Sequence, residues 1–175
     1  MIFDPATTEE KPKYLWDVAA GRNGDVYVAA GAPAVVYRVP AGGGKAAVFF
    51  KTADQHIRCL TMAPDGMLWA GSDGAGVVYR IDTKTPGAKP FAVYAAPRRE
   101  ITSLALDDAG NVYISNGQGV MAFDPNGNNI LRIPTGTGAT NNTFAGRDDK
   151  LLFITGPVDS VTGIKMKNVK GAPNW

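Results

Sequence analysis

The fold of this chain is decided by Arg58-Cys59-Leu60-Thr61-Met62-Ala63-Pro64-Asp65-Gly66-Met67-Leu68-Trp69-Ala70-Gly71, in which two apolar runs flank an Asp-Gly turn. The same pattern returns upstream over residues 16–31 and downstream over residues 102–116, and a weaker copy covers residues 141–156. Equivalent apolar residues are separated by 42, 44 and 40 positions, and these residues are Val26, Leu68, Val112 and Leu152. A period near 40 with several short strands in each copy is typical of the blades of a β-propeller.

The repeats predict an all-β fold of about four propeller blades, each with four antiparallel strands, in one array over residues 1–175. We expect the blades at about residues 14–56, 57–100, 101–139 and 140–175, and the last blade lacks a clear fourth strand. Phe3-Asp4-Pro5 returns as Phe123-Asp124-Pro125 inside the third blade, so the first residues resemble the end of a strand. An unpaired strand edge favours aggregation, and we therefore expect residues 1–13, or another chain, to complete the last blade.

Closure of the ring is left open by the sequence. Four blades leave little room at the centre, and the inner strands carry small residues such as Ala19, Ala63 and Ala105 that would fit there. The alternative is an open arc that needs a second copy of the chain to close.

Composition narrows the range of partners. The chain has 18 Lys and Arg against 16 Asp and Glu, and no long run of like charge indicates nucleic-acid binding. Cys59 is the single cysteine, so an internal disulfide and a cysteine metal cluster are excluded. The apolar runs are strand-sized, and Met1-Ile2-Phe3-Asp4-Pro5 has no features of a signal peptide, so we expect a soluble protein without a membrane partner. The compartment stays open.

A candidate ligand site lies where the chain enters the inner strands of blades two and three. His56 is the single histidine and stands beside Arg58, and the equivalent loop one blade later carries Arg98, Arg99 and Glu100. Together these five residues are predicted to line one mouth of the central channel and to bind a small anionic ligand. The alternative is that they are solvated loop charges, with Glu100 paired to an arginine.

A weaker candidate is a metal site built from the loops that follow the second strands. Asp73, Asn116 and Asp159 fall in those loops, and oxygen ligands from three blades could hold calcium. Their alternative role is ordinary turn chemistry, since Asp-Gly and Asn-Gly are common turn pairs.

From Glu100 to Lys170 the chain resembles the senescence-marker-protein and gluconolactonase family of sugar-lactone hydrolases. The resemblance is carried by residues 107–114, 119–127, 139–146 and 152–155, which read DDAGNVYI, GVMAFDPNG, ATNNTFAG and LFIT. It implies a propeller of the kind that carries six blades, with one divalent cation held at the ring centre by a Glu, an Asn and an Asp. This chain would then be a truncated or recombined member.

We expect the metal ligands of that family to be missing from this chain. Alignment on Leu60 and Leu104 puts Arg58 and Thr102 at ligand positions, with Trp16 in the first blade and Thr140 in the fourth. An arginine repels a cation and a tryptophan cannot ligate one, so no catalytic residue and no cofactor is carried over. We therefore expect a binding or structural module that lacks the metal-dependent active site. The alternatives are a divalent-metal-dependent lactone hydrolase, or a fragment that assembles into a larger ring by self-association.

Overall fold

The computed structural model describes residues 2–85, 87–97, 100–156 and 161–172, and its regular structure is almost entirely antiparallel strand. Blade one holds β1 (Tyr14–Ala20), β2 (Val26–Gly31), β3 (Val35–Val39) and β4 (Ala47–Lys51). Blade two holds β5 (His56–Met62), β6 (Met67–Asp73), β7 (Val77–Asp82) and β8 (Phe91–Ala95). Blade three holds β9 (Ile101–Leu106), β10 (Val112–Asn116), β11 (Gly119–Phe123) and β12 (Asn129–Pro134). Blade four holds β13 (Asn141–Ala145), β14 (Leu151–Thr155) and β15 (Val161–Lys165).

The first hairpins of blades one and two close through the glycine turns that the sequence predicts. Gly24 and Gly66 have φ angles of 84° and 86°, a left-handed conformation that costs glycine far less than other residues. The strands on either side then pair in antiparallel register, with Val26 opposite Ala20 and Met62 opposite Leu68.

Inner strand β5 is longer than the sequence indicated. It begins at His56, so His56 and Arg58 belong to a strand and not to the loop before it. At this end Gly31 of β2 pairs with His56, and blades one and two therefore share one continuous sheet. Blade three forms a separate four-stranded sheet, and blade four forms a three-stranded one.

Successive blades pack face to face through one aromatic position of the repeat. Tyr27, Trp69 and Tyr113 occupy equivalent positions in the second strands of blades one, two and three. Each is only 1 or 2% exposed. Each belongs to an apolar cluster that joins its own blade to the following blade. Within the described residues no such cluster joins blade four to blade one, so the four blades form an open arc, part of a propeller ring.

Among the described residues the N-terminal segment pairs with no strand of blade four, which corrects one of the two expectations for that blade. Residues 2–13 contain a short 3-10 helix at Pro5–Thr7 and lie against the outer strands of blade one. Phe3 packs on Tyr37 with ring centroids 5.1 Å apart, and the Tyr37 hydroxyl lies 3.2 Å from the Thr8 hydroxyl. By packing there, Phe3 shields the apolar face of β3 from water.

The chain after β15 turns back towards blade three and forms no fourth strand over residues 166–172. The backbone N–H of Asp108 donates to the carbonyl of Lys170 at 2.7 Å, and that of Ala172 donates to the carbonyl of Leu106 at 2.9 Å. Gly171 forms a bridge with Asp107, next to the end of β9. These contacts hold the end of the described chain between blades three and four.

Candidate functional site

The site is built by an irregularity that recurs at the same place in three inner strands. Strand pairing is interrupted at Trp16 in β1, at Arg58 in β5 and at Thr102 in β9. A residue inserted into one strand of an antiparallel pair re-aims its side chain, and such bulges occur often beside functional sites. The alignment of the repeats also makes these three residues equivalent. Blades one, two and three therefore each contribute one bulged residue to the same mouth of the channel.

Trp16 and Arg58 meet across the boundary between blades one and two. The guanidinium carbon of Arg58 lies 4.0 Å from the ring centroid of Trp16, well within cation-π range. Arg58 also reaches Glu100 of blade three, with 4.0 Å between the nitrogen and the carboxylate oxygen. The Arg58 and Glu100 side chains are 29% and 45% exposed, so solvent screens this ion pair and it contributes little to stability.

His56 is the most buried side chain of the same cluster, at 9% exposed. Its ring lies edge-on to the rings of Tyr14 and Trp16, with centroids 5.6 and 5.5 Å away, and those two rings are stacked 5.3 Å apart. A Cβ on Gly31 would lie 2.0 Å from His56 Nδ1 and 2.5 Å from Trp16 Nε1, so the cluster requires glycine there. Because His56 Nδ1 is pressed against this backbone, it is buried without a hydrogen-bond partner. We call Tyr14, Trp16, His56, Arg58 and Glu100 the mouth cluster.

Two ionisable groups, Asp17 and Cys59, directly follow Trp16 and Arg58 of the mouth cluster in their strands. Burial raises the pKa of Asp17, although hydrogen bonds from the backbone N–H groups of Leu60 and Val18 partly oppose this. Burial also raises the pKa of the Cys59 thiol strongly, and the nearby carboxylate of Asp17 adds to the effect. Cys59 therefore stays a neutral thiol that packs in the core between blades two and three, and it is unsuited to nucleophilic chemistry.

The predicted binding residues are partly brought together. His56, Arg58 and Glu100 lie in the mouth cluster, and Glu100 is paired to an arginine as the alternative interpretation proposed. Arg98 and Arg99 lie outside the described residues.

The predicted metal ligands are not gathered into one site by the described residues. Asp73 ends β6 and bridges to Glu100 through the backbone. The side-chain oxygen of Asn116 accepts a hydrogen bond from the backbone N–H of Gln118 at 2.7 Å, as a turn residue does, and Asp159 lies outside the described residues. Within the described ranges no group of three or more His, Cys, Asp or Glu side chains is placed to hold a metal ion.

Sequence reasoning did not include Tyr14 and Trp16 among the candidate residues. The sequence marks Trp16 only as a position where a metal ligand is missing, and Tyr14 only as the start of a blade. The signal that could have found Trp16 is its equivalence to Arg58 in the repeat, because equivalent residues of adjacent inner strands face the same mouth.

A second opening lies at the other end of the inner strands. It is a cavity of about 470 Å³ bounded by the last residues of all four inner strands and by the returning C-terminal segment. Its lining is largely small or aliphatic, including Ala20, Thr61, Ala105 and Gly171, and Asp149 is the one charged residue that lines it among those described. The two mouths therefore differ in chemistry, and the aromatic and charged side chains concentrate at the mouth cluster.

The fold and the mouth together define a partial β-propeller with a polar and aromatic cluster at one channel opening. No protein-family model matches the chain, and no curated protein matches it. Among solved structures it is similar to XC5397, a gluconolactonase from Xanthomonas campestris, with a TM-score of 0.71, 20% identity, and coverage of 88% of this chain and 58% of that one. It is also similar to virginiamycin B lyase from Staphylococcus aureus, with a TM-score of 0.65, 15% identity, and coverage of 93% and 58%.

A third similar structure has a chain of nearly the same length. The computationally designed Ika4 protein matches with a TM-score of 0.65 and 16% identity, over 88% of this chain and 92% of that one. The chain thus spans about three fifths of the natural propellers it resembles and nearly all of the designed one. These likenesses show the fold. Within the described residues, no helix is long and apolar enough to span a membrane.

Proposed function

We propose that this chain is a propeller binding module that takes a small planar anion at the mouth cluster. The observation that carries the proposal is the contact of Arg58 with Trp16, which the repeated bulge brings together from two blades. Packing on an indole ring orients the guanidinium without neutralising it, so its donors stay available to a carboxylate or phosphate.

The present partner of Arg58 is one that a ligand can replace. Glu100 stands at 4.0 Å, the outer limit of an ion pair, and is nearly half exposed. A ligand carboxylate that makes two short parallel hydrogen bonds to the guanidinium would bind it more strongly than Glu100 does. Binding would then release Glu100 to solvent, where its charge is well hydrated.

A planar ligand is favoured by the aromatic surface beside Arg58. Tyr14 and Trp16 are 49% and 38% exposed although their rings are stacked on each other. Offset stacking of a third ring contributes roughly 0.5–1.5 kcal/mol beyond the buried area. An aromatic carboxylate combines this stacking with the charge that Arg58 requires.

The test compares three simple probes, namely benzoate, acetate and benzyl alcohol, by titration followed through the indole N–H signal of Trp16 in NMR spectra. We expect benzoate to bind most tightly, because it alone supplies both the charge and the ring. Arg58→Met keeps an unbranched stem and should weaken benzoate binding roughly tenfold to a hundredfold, the loss expected for one charged hydrogen-bonded contact.

Arg80→Met is the matched control for this experiment. Arg80 lies in the same blade, 5.9 Å from the ring of Trp69, and pairs with Asp65 at 3.2 Å, away from the mouth cluster. It should leave benzoate binding unchanged. Equal binding by the Arg58→Met variant and the unmodified chain, or no saturable binding of benzoate at all, would refute the proposal.

The second candidate is a divalent-metal-dependent sugar-lactone hydrolase, or a fragment of one. It is favoured by the likeness of the fold to a gluconolactonase, at 20% identity. The test is hydrolysis of a gluconolactone followed by acid release, with added calcium and with a chelator. Turnover that calcium restores after chelation would support the hydrolase.

A further inference from the structure

The mouth cluster presents a negative charge beside its positive one. The carboxylate of Glu100, just before β9 of blade three, lies 4.0 Å from a guanidinium nitrogen of Arg58 on blade two. Both side chains are partly exposed, so each charge remains accessible from the channel. The pair spans the junction of blades two and three, in the interior of the arc. A ligand that binds at this mouth therefore meets one charge of each sign.

A second carboxylate adds to the negative side of the mouth. Asp73 at the end of β6 forms an antiparallel backbone bridge with Glu100. Residues that stand opposite each other in this way have their Cβ atoms roughly 5 Å apart. Among the described residues, the carboxylate of Asp73 takes part in no ion pair. The side of the mouth near Glu100 is therefore suited to a positively charged group.

A ligand with only a carboxylate is incompletely matched to this arrangement. When it binds Arg58 it lies close to Glu100, and two carboxylates at short distance repel each other. Its best arrangement moves Glu100 into solvent, which gives up the ion pair that the structure contains. An ammonium group next to the ligand carboxylate would replace this repulsion by attraction, and Glu100 could then stay where it is.

We propose that the mouth cluster binds a free aromatic α-amino acid, with its carboxylate on Arg58 and its ammonium group on Glu100. This inference rests on the proposed function and names the ligand class of the same site. Standard backbone geometry separates the nitrogen and the carboxyl carbon of an amino acid by roughly 2.5 Å. That span is short enough to lie along the 4.0 Å pair, so each ligand charge faces the opposite charge of the protein.

The aromatic side chains of the mouth cluster lie next to the carboxylate-binding group. Trp16 contacts the guanidinium of Arg58, and the ring of Tyr14 is stacked on Trp16 with centroids 5.3 Å apart. The ring of the amino acid therefore has an aromatic surface beside its own carboxylate. A peptide fits less well, because each further residue moves its terminal charges apart by up to roughly 3.8 Å. It could reach Arg58 or Glu100 closely, but not both.

The test compares L-phenylalanine with hydrocinnamate, which has the same ring and carboxylate but no ammonium group. Both are titrated at neutral pH and followed through the indole N–H signal of Trp16, with benzoate as the reference for the proposed function. We expect phenylalanine to bind roughly threefold to tenfold more tightly than hydrocinnamate, between the gain from an exposed ion pair and that from a charged hydrogen bond. Alanine, a zwitterion without a ring, should bind more weakly than phenylalanine.

Glu100→Gln removes the negative charge and keeps nearly the same shape. It should abolish the preference, because the ammonium group of phenylalanine loses its partner and the carboxylate of hydrocinnamate is no longer repelled. Asp65→Asn is the matched control, since Asp65 is also a half-exposed carboxylate, paired to Arg80 beside the ring of Trp69. The control should leave the affinities for both ligands unchanged.

Three outcomes would overturn this inference while benzoate binding, and with it the proposed function, still holds. Equal affinities for phenylalanine and hydrocinnamate would show that the ammonium group is not recognised. A preference for phenylalanine that survives Glu100→Gln would show that Glu100 does not bind it. Equal affinities for alanine and phenylalanine would show that the ring is not recognised. Failure of benzoate to bind would refute the proposed function itself, and this inference with it.

Discussion

The carboxylate of Asp17 on inner strand β1 accepts a hydrogen bond from the backbone N–H of Leu60 on inner strand β5, with 2.8 Å between oxygen and nitrogen. Its second oxygen accepts from the backbone N–H of Val18 at 2.8 Å. One side chain therefore holds the bulge in blade one and fastens blade one to blade two. Asp17 directly follows Trp16 in β1, so the junction between the blades is fastened next to the mouth cluster.

Asp17→Asn should change the pH dependence of stability in a defined direction. Burial raises the pKa of Asp17 above its ordinary value of 3.8, with the two backbone hydrogen bonds opposing. The folded chain therefore keeps this proton to higher pH than the unfolded chain, and stability is lost as pH rises from the ordinary value through the folded pKa. The variant lacks this loss, so its stability relative to the unmodified chain should increase across that window. Urea unfolding at a series of pH values measures the difference, and a constant difference would contradict the prediction.

Asp124→Asn should show the opposite slope. The pKa of Asp124 is lowered by hydrogen bonds from the side chain and backbone N–H of Asn128, which outweigh partial burial, with Asn126 contributing a further backbone N–H. Its stabilising effect is complete above the ordinary carboxyl pKa and is lost as pH falls through the folded pKa. The variant should be less stable at neutral pH, and the deficit should shrink as the solution is acidified. A deficit that grows on acidification would show that this turn is not held by the ionised carboxylate.

The fold follows from the repeat because its spacing and its turn residues act locally. The Asp65-Gly66 turn and the equivalent Asn23-Gly24 turn fix where each hairpin reverses, and the apolar runs beside them pair in the expected register. The bulge at Arg58 is different. It inserts one residue into the pairing without changing the repeat length, so residue spacing does not reveal it.

The place of the N-terminal segment was mispredicted for a related reason. Phe3-Asp4-Pro5 looks like the end of a third strand, and this likeness suggested that it completes a blade. Its actual position depends on Tyr37, a residue 34 positions away whose ring was open on one side. Contacts of this kind depend on which faces the assembled arc leaves uncovered. The local sequence pattern does not indicate which faces those are. The mouth cluster escaped prediction in part for the same reason, since Tyr14 and Trp16 join His56 only after blades one and two pack.

Gly31→Ala should disrupt the mouth cluster and lower stability by roughly 1–3 kcal/mol, the range for forcing extra volume into a packed site. The added methyl would overlap the rings of His56 and Trp16, which lie 2.0 and 2.5 Å from the Cβ position. Gly42→Ala is the matched control, because nothing lies within 4 Å of its Cβ position. The control should be neutral or slightly stabilising, since alanine restricts the unfolded chain. Urea unfolding midpoints, at unchanged m-values, measure the difference in stability between the two variants. Equal midpoints would show that the rings of His56 and Trp16 move aside at little cost in free energy.

Asn142→Ala should loosen the junction between blades three and four. Asn142 is 4% exposed, and its side-chain amide donates to the hydroxyl of Ser115 at 2.7 Å and to the carbonyl of Tyr113 at 3.4 Å, so it links β13 to β10. Removing the amide leaves both buried acceptors without this donor, and a buried group left unsatisfied costs roughly 1–3 kcal/mol.

Thr143→Ala is the matched control for Asn142→Ala, since Thr143 is the next residue, is exposed, and donates only a long hydrogen bond of 3.4 Å to a neighbouring carbonyl. Hydrogen exchange locates the effect that urea unfolding measures. In the Asn142→Ala variant, the backbone N–H groups of β13 and β14 should exchange faster, while those of blades one and two should change much less, because a repeat array transmits a local loss mainly to its nearest neighbours. Uniform acceleration over all four blades would mean that the arc unfolds as one cooperative unit and that this junction is not its weakest point.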